Sequence, residues 1–129
     1  MVERRPFTAP DAPAAVGPYS HGVIAGDLLF CSGQIPLDPS SGELVGETMG
    51  EQARRCLENL DAVCRAAGAT LAADAVRLTI FTVDLGEFDQ INDACAEFFV
   101  HREPPARATV QVAALPKGAW VEIDAVVAL

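Results

Sequence analysis

From residue 49 onward, apolar positions return at steps of three and four. Met49, Ala53, Cys56, Leu57, Leu60, Val63, Cys64 and Ala67 fall on one face, and Glu51, Arg54, Arg55, Glu58, Asp61 and Arg65 fill the other. This is the pattern of an amphipathic helix. Thr48-Met49-Gly50-Glu51 ahead of it has the capping-box form, in which a Thr side chain and a Glu three residues later satisfy amides at a helix start. Gly68 closes it as a left-handed cap. A second helix is predicted over about Glu87 to Val100, with Phe88, Ile91, Cys95, Phe98 and Phe99 at helical spacing and Pro104-Pro105 forbidding continuation. Between the two, Ala75 to Val83 is aliphatic and β-branched without a charge stripe, which predicts a strand.

Upstream, the runs Tyr19 to Ile24 and Leu28 to Ser32 flank Ala25-Gly26-Asp27 and predict a β-hairpin. Gln34 to Gly42 holds two prolines and a glycine and is a loop. The chain closes with strands over Ala106 to Ala114 and Ala119 to Val127, joined by Leu115-Pro116-Lys117-Gly118. The order ββαβαββ predicts an α+β fold, with helices on one face of a mixed sheet. The other face then needs a cover, which is a reason to expect a homo-oligomer. Residues 1–12 show no period and are expected to be an arm; residues 13–129 are expected to form one domain.

Composition narrows the function classes. Eighteen Asp and Glu against nine Lys and Arg give a formal charge of −9, so nucleic acid is not an expected partner. No stretch reaches the length of a signal peptide core or a membrane span, and a cytoplasmic protein is expected. Cys31, Cys56, Cys64 and Cys95 lack zinc spacing and are expected to be reduced thiols packed as small hydrophobes.

Period-two alternation in the last two strands sets candidate chemistry apart from the aliphatic positions. Arg107, Thr109, Gln111 and Ala113 alternate with Ala108, Val110, Val112 and Ala114; Glu122 and Asp124 alternate with Val121, Ile123, Ala125 and Val127. The two strands, taken as adjoining, thus place an Arg and a Glu away from their aliphatic stripes. A strand arginine is ordinarily a salt-bridged surface residue, but a planar guanidinium in a cleft also fits a carboxylate with two parallel N–H donors. For Glu122 the ordinary reading is a solvated carboxylate. Tyr19, the only tyrosine, follows Gly17-Pro18, and Ser32-Gly33 ends the second strand. His21 and His101 have no metal-ligand neighbourhood and form no recognisable triad, and no phosphate loop, dinucleotide fingerprint or zinc motif is present.

Together, Ala14 to Ser20, Leu28 to Pro36, Pro105 to Val110, Ala113 to Pro116 and Val121 to Ala125 resemble the RidA (YjgF-type) imine deaminase family, in order and spacing, over nearly the whole chain. The resemblance implies a chorismate-mutase-like fold and a homotrimer whose three sheets form a central barrel, with active sites in clefts between subunits. It implies hydrolysis of reactive enamine and imine intermediates of the 2-aminoacrylate type to 2-keto acids and ammonia, as a 2-iminobutanoate/2-iminopropanoate deaminase. Small imine and 2-keto acid ligands are the partners it implies, and no metal or organic cofactor is needed. Arg107 then matches the carboxylate clamp and Glu122 the acid that positions water. Tyr19, Ser32, Gly33 and Asn92 match cleft positions. Thr109 stands where the family often has Cys, so a thiol is not available there. The alternatives are a deaminase of a larger enamine, with residues 35–47 and Phe88 to Asn92 shaping the choice, and a non-catalytic trimer that binds ligands or partner proteins. RNA cleavage, credited to some relatives, fits the charge worst.

Overall fold

A computed structural model describes residues 1–129. Six strands form one sheet: β1 (Arg4–Phe7), β2 (Gly22–Ala25), β3 (Leu28–Gln34), β4 (Ala75–Thr82), β5 (Ala106–Gln111) and β6 (Val121–Ala128), in the spatial order β1-β2-β3-β6-β4-β5. All neighbours are antiparallel except β4 and β5, which run parallel. The helices are α1 (Met49–Ala66), a single turn α2 (Leu71–Asp74) and α3 (Phe88–Phe98). The fold is α+β with a mixed sheet, as the alternation of patterns predicted.

The α1 boundaries follow from local chemistry. Thr48 Oγ1 accepts from the Glu51 amide at 3.1 Å, while the Glu51 carboxylate accepts from the Glu47 amide, one residue beyond the capping-box partner. At the other end, Gly68 with φ of 84° lets its amide reach the Arg65 carbonyl and the Ala69 amide reach the Cys64 carbonyl. Leu57, Leu60 and Val63 on α1 are fully buried against Ile80, Val121 and Ile123 of the sheet. That contact surface is the core, and all four cysteines are buried and free.

Four details depart from the sequence expectations. The first twelve residues are not an arm outside the domain: Arg4–Phe7 pairs with β2, and Ala9 and Ala12 are buried in the core. The segment is pinned by His21, whose Nδ1 accepts from the Ala9 amide at 2.9 Å while Nε2 donates to the Pro13 carbonyl at 2.8 Å. No hydrophobic period announces this, because the partners are backbone groups. The hairpin begins at Gly22, leaving Tyr19 to His21 outside β2. The short helix α2 was hidden between Gly68 and the strand. Finally, β5 and β6 are not adjoining: β4 lies between them.

That last correction decides the geometry of the site. In register, Leu78 pairs with Arg107 and Ile80 with Thr109, whereas Phe81 pairs with Glu122. Paired residues share a face, so the polar set of β5 turns toward the helices beside buried Leu78 and Ile80. The aliphatic set of β6 does the same, and Glu122 points to the opposite, helix-free face. Ala108 and Val110 of β5 also lie on that open face, with Leu28 and Phe30 of β3 and Val126 of β6.

Candidate active site in two halves

The first half gathers Tyr19, Ser32, Gly33 and Glu122 around a cleft of about 310 Å³, with Val16, Ile35 and Pro116 completing its lining. A β-bulge creates it. Cys31 pairs with Ala125 and Gln34 with Ile123, so Ser32 and Gly33 together oppose Asp124 alone. The extra residue re-aims the strand. Ser32 is locked by its amide donating to the His21 carbonyl at 3.0 Å and its hydroxyl donating to the Ser20 carbonyl at 2.6 Å. The Tyr19 hydroxyl accepts from the Val16 amide at 3.1 Å, which leaves its own proton free for a ligand.

Gly33 has a steric reason to be glycine. A Cβ there would meet the Glu122 carboxyl, with Cδ at 2.9 Å. The carboxyl group thus packs on the bare backbone of the bulge. Burial pushes the Glu122 carboxyl above the usual carboxylate range, and the neighbouring Asp124 charge pushes the same way. A carboxyl with a raised pKa is suited to hold or exchange a proton nearer neutrality.

The second half lies on the helix side of the outer strand. Arg107 Nη2 donates to Asn92 Oδ1 of α3 at 2.6 Å, and the guanidinium lies 5.5 Å from the centre of the Phe88 ring. Arg107 forms no ion pair: the salt bridges are Arg54–Glu97, Arg55–Glu58 and Arg65–Asp61. The ordinary expectation for a strand arginine is therefore not met. Its cleft, of about 460 Å³, is lined also by Leu78, Asn92, Cys95 and Phe99. Burial raises the Cys95 thiol pKa, and the Arg107 charge opposes that shift in part. Thr109, two residues along the same face, has a buried hydroxyl oxygen without a hydrogen-bond partner.

The structure thus brings Tyr19, Ser32, Gly33 and Glu122 together, and Arg107 with Asn92, but holds the two groups on opposite faces of one sheet. Two contributors escaped sequence reasoning. His21 had been read only for metal or triad chemistry, and Arg102, which lines the Arg107 cleft, carried no motif at all.

Residues 9–129 match the family model described as "Endoribonuclease L-PSP". The chain is 51% identical to RutC family protein y4sK of Sinorhizobium fredii, over 100% of this chain and 99% of that one. It is 41% identical to the human protein named 2-iminobutanoate/2-iminopropanoate deaminase, over 95% and 88% of the two. The crystal structure of Escherichia coli TdcF with bound serine superposes with a TM-score of 0.90 at 38% identity, covering 97% of this chain and 98% of that one. The chain belongs to the RidA (YjgF-type) family, whose family model carries the L-PSP name. No helix is long and apolar enough to cross a membrane.

Proposed function

We propose that the chain is a cytoplasmic, cofactor-independent 2-iminobutanoate/2-iminopropanoate deaminase, assembled as a homotrimer with its sites between subunits. The observation that carries the reading is the division of the site. Arg107 stands at an exposed edge with no carboxylate partner, and Glu122 stands in a separate cleft on the other face. A second copy set against the open face would bring one beside the other. The open sheet face supports the same assembly, since Leu28, Phe30 and Val110 are each more than a third exposed. The name of the human relative and the serine bound by TdcF favour an amino-acid-derived ligand.

In this reading Arg107, held by Asn92 and backed by Phe88, takes the substrate carboxylate through its fork of N–H donors. Tyr19, Ser32 and Gly33 of the neighbouring copy close over the reacting end. Glu122 accepts a proton from a water as its oxygen bonds to the imine carbon and returns that proton to the nitrogen, giving the carbinolamine; it then carries the hydroxyl proton to the amine as the C–N bond breaks, leaving the keto acid and ammonia. Free imines hydrolyse unaided, so positioning with one acid/base group is sufficient. Thr109 lines the same face as Arg107 and offers a hydroxyl to substrate or water. Larger enamines remain the alternative substrates. Endoribonuclease chemistry would need a cationic groove, and the −9 charge opposes one.

The test is keto-acid release from a reaction generating 2-iminobutanoate. Wild type accelerates it, and Arg107→Ala and Glu122→Gln each abolish the acceleration. Refolding the two variants together as mixed trimers restores about a quarter of wild-type activity if each site takes Arg107 from one copy and Glu122 from another. No restoration in mixed trimers would place both groups in one chain's site. No acceleration by wild type would end the deaminase reading.

A further inference from the structure

A second arginine without an ion pair lines the cleft beside Arg107. Arg102 lines the same 460 Å³ space, carried on the connection from α3 to β5. His101 before it holds a left-handed φ of 64°, which a side chain bearing a Cβ adopts only at some conformational cost. The Arg102 amide then closes on the Phe99 carbonyl at 3.0 Å, and Pro104-Pro105 fixes the path into β5. The turn is therefore set by its own backbone and does not depend on a partner for the Arg102 side chain.

Three of the eight arginines have ion pairs. Arg102 and Arg107 are among the five that have none, and these two line one cleft. Two like charges in a shared, partly apolar space repel each other, and an anion relieves that repulsion. In the proposed reaction one carboxylate takes the fork of Arg107. A ligand with a second anionic group would also satisfy Arg102, and Leu78, Cys95 and Phe99 offer apolar surface to the methylene carbons between the two.

We infer that Arg102 is a specificity-determining residue, and that the ligands this cleft favours are dicarboxylic: 2-imino acids with a second carboxylate in the side chain. The inference rests on the assignment of Arg107 as the carboxylate clamp and adds a second anchor to it.

The probes are 2-oxoglutarate and 2-oxobutyrate, which present two carboxylates and one, titrated calorimetrically into the full-length protein. In parallel, turnover is followed on the imines released from glutamate and from 2-aminobutyrate by an amino-acid oxidase. Wild type should bind the dicarboxylate at least about tenfold more tightly, with a preference that shrinks as salt is added. Arg102→Gln should bring that ratio close to one, and Arg102→Lys should keep part of it. Equal affinities in wild type, or a ratio that survives Arg102→Gln, would overturn the assignment. The two readings fail separately: a preserved binding preference without turnover of either imine removes the deaminase and leaves the dicarboxylate site. Turnover of both imines at one rate, indifferent to Arg102→Gln, removes the dicarboxylate site and leaves the deaminase.

Discussion

The two faces of the sheet carry similar alternating strands and meet opposite fates. On the helix side, Leu57, Leu60, Val63, Ile80, Val121 and Ile123 are fully buried, and one chain completes its own core. On the open side, Leu28, Phe30 and Val110 remain 38%, 46% and 42% exposed, among Glu122, Asp124 and Thr79. The helix side is finished locally because α1 supplies a matching apolar stripe. The open side is left for another surface. The candidate site sits where this division is interrupted: at the bulge that seats Glu122, and at the edge strand whose polar set is turned inward.

Substitutions on the two faces should therefore separate stability from association. Leu57→Ala is expected to remove about 2–5 kcal/mol of stability by loss of burial and creation of a cavity, read as a lowered urea midpoint. Phe30→Ala on the open face should cost the isolated chain about 1 kcal/mol or less, while lowering the assembled mass in sedimentation. Equal losses of stability without any change in mass would erase the distinction between the faces.

The bulge offers a smaller and more local test. Gly33 does not hold a left-handed φ, and the atoms nearest an added Cβ all belong to the Glu122 side chain. In Gly33→Ala, turnover should drop about tenfold or more through displacement of that carboxyl, while keto-acid binding at Arg107 persists. A fall in binding with unchanged turnover number would separate Gly33 from the placement of Glu122.

The smallest expected effect is on pH dependence. Burial and Asp124 raise the Glu122 pKa, so activity that needs the carboxylate should fall on the acid side at a pH above the usual carboxylate range. Asp124→Asn removes the repulsion and should move that limb to lower pH by a few tenths of a unit. The same shift has a sign for stability. With its folded pKa raised, Glu122 contributes most below its unfolded pKa, and that contribution is lost as pH rises through the folded value. Glu122→Gln should accordingly raise the melting temperature at pH 7 relative to wild type, with a smaller difference at pH 4. A lower melting temperature at pH 7 would contradict the raised pKa.

Much of this architecture was legible because it is local. The step of three and four around Leu57 and Leu60, the Thr48 cap, the Gly68 stop and the alternation in β6 are written into neighbouring residues, and the structure reproduces each. Less legible were features set by distant backbone. The inclusion of Arg4–Phe7 depends on hydrogen bonds to β2 and on His21 reaching Ala9 and Pro13. The insertion of β4 between β5 and β6 depends on a crossover through α3, which no alternation in β5 reveals.

The sequence by itself determined which residues are candidates for the chemistry, because side-chain type and family spacing single out Arg107, Glu122, Tyr19, Ser32 and Gly33. It also determined which helical face packs inward, since amphipathic period is a property of consecutive positions. Only the tertiary structure decided on which side of the sheet each group stands. Strand order and parallel register turned Arg107 toward α3 and left Glu122 on the open face. The physical reason is that alternation fixes relative facing within one strand, while pairing to a neighbour fixes which face is which.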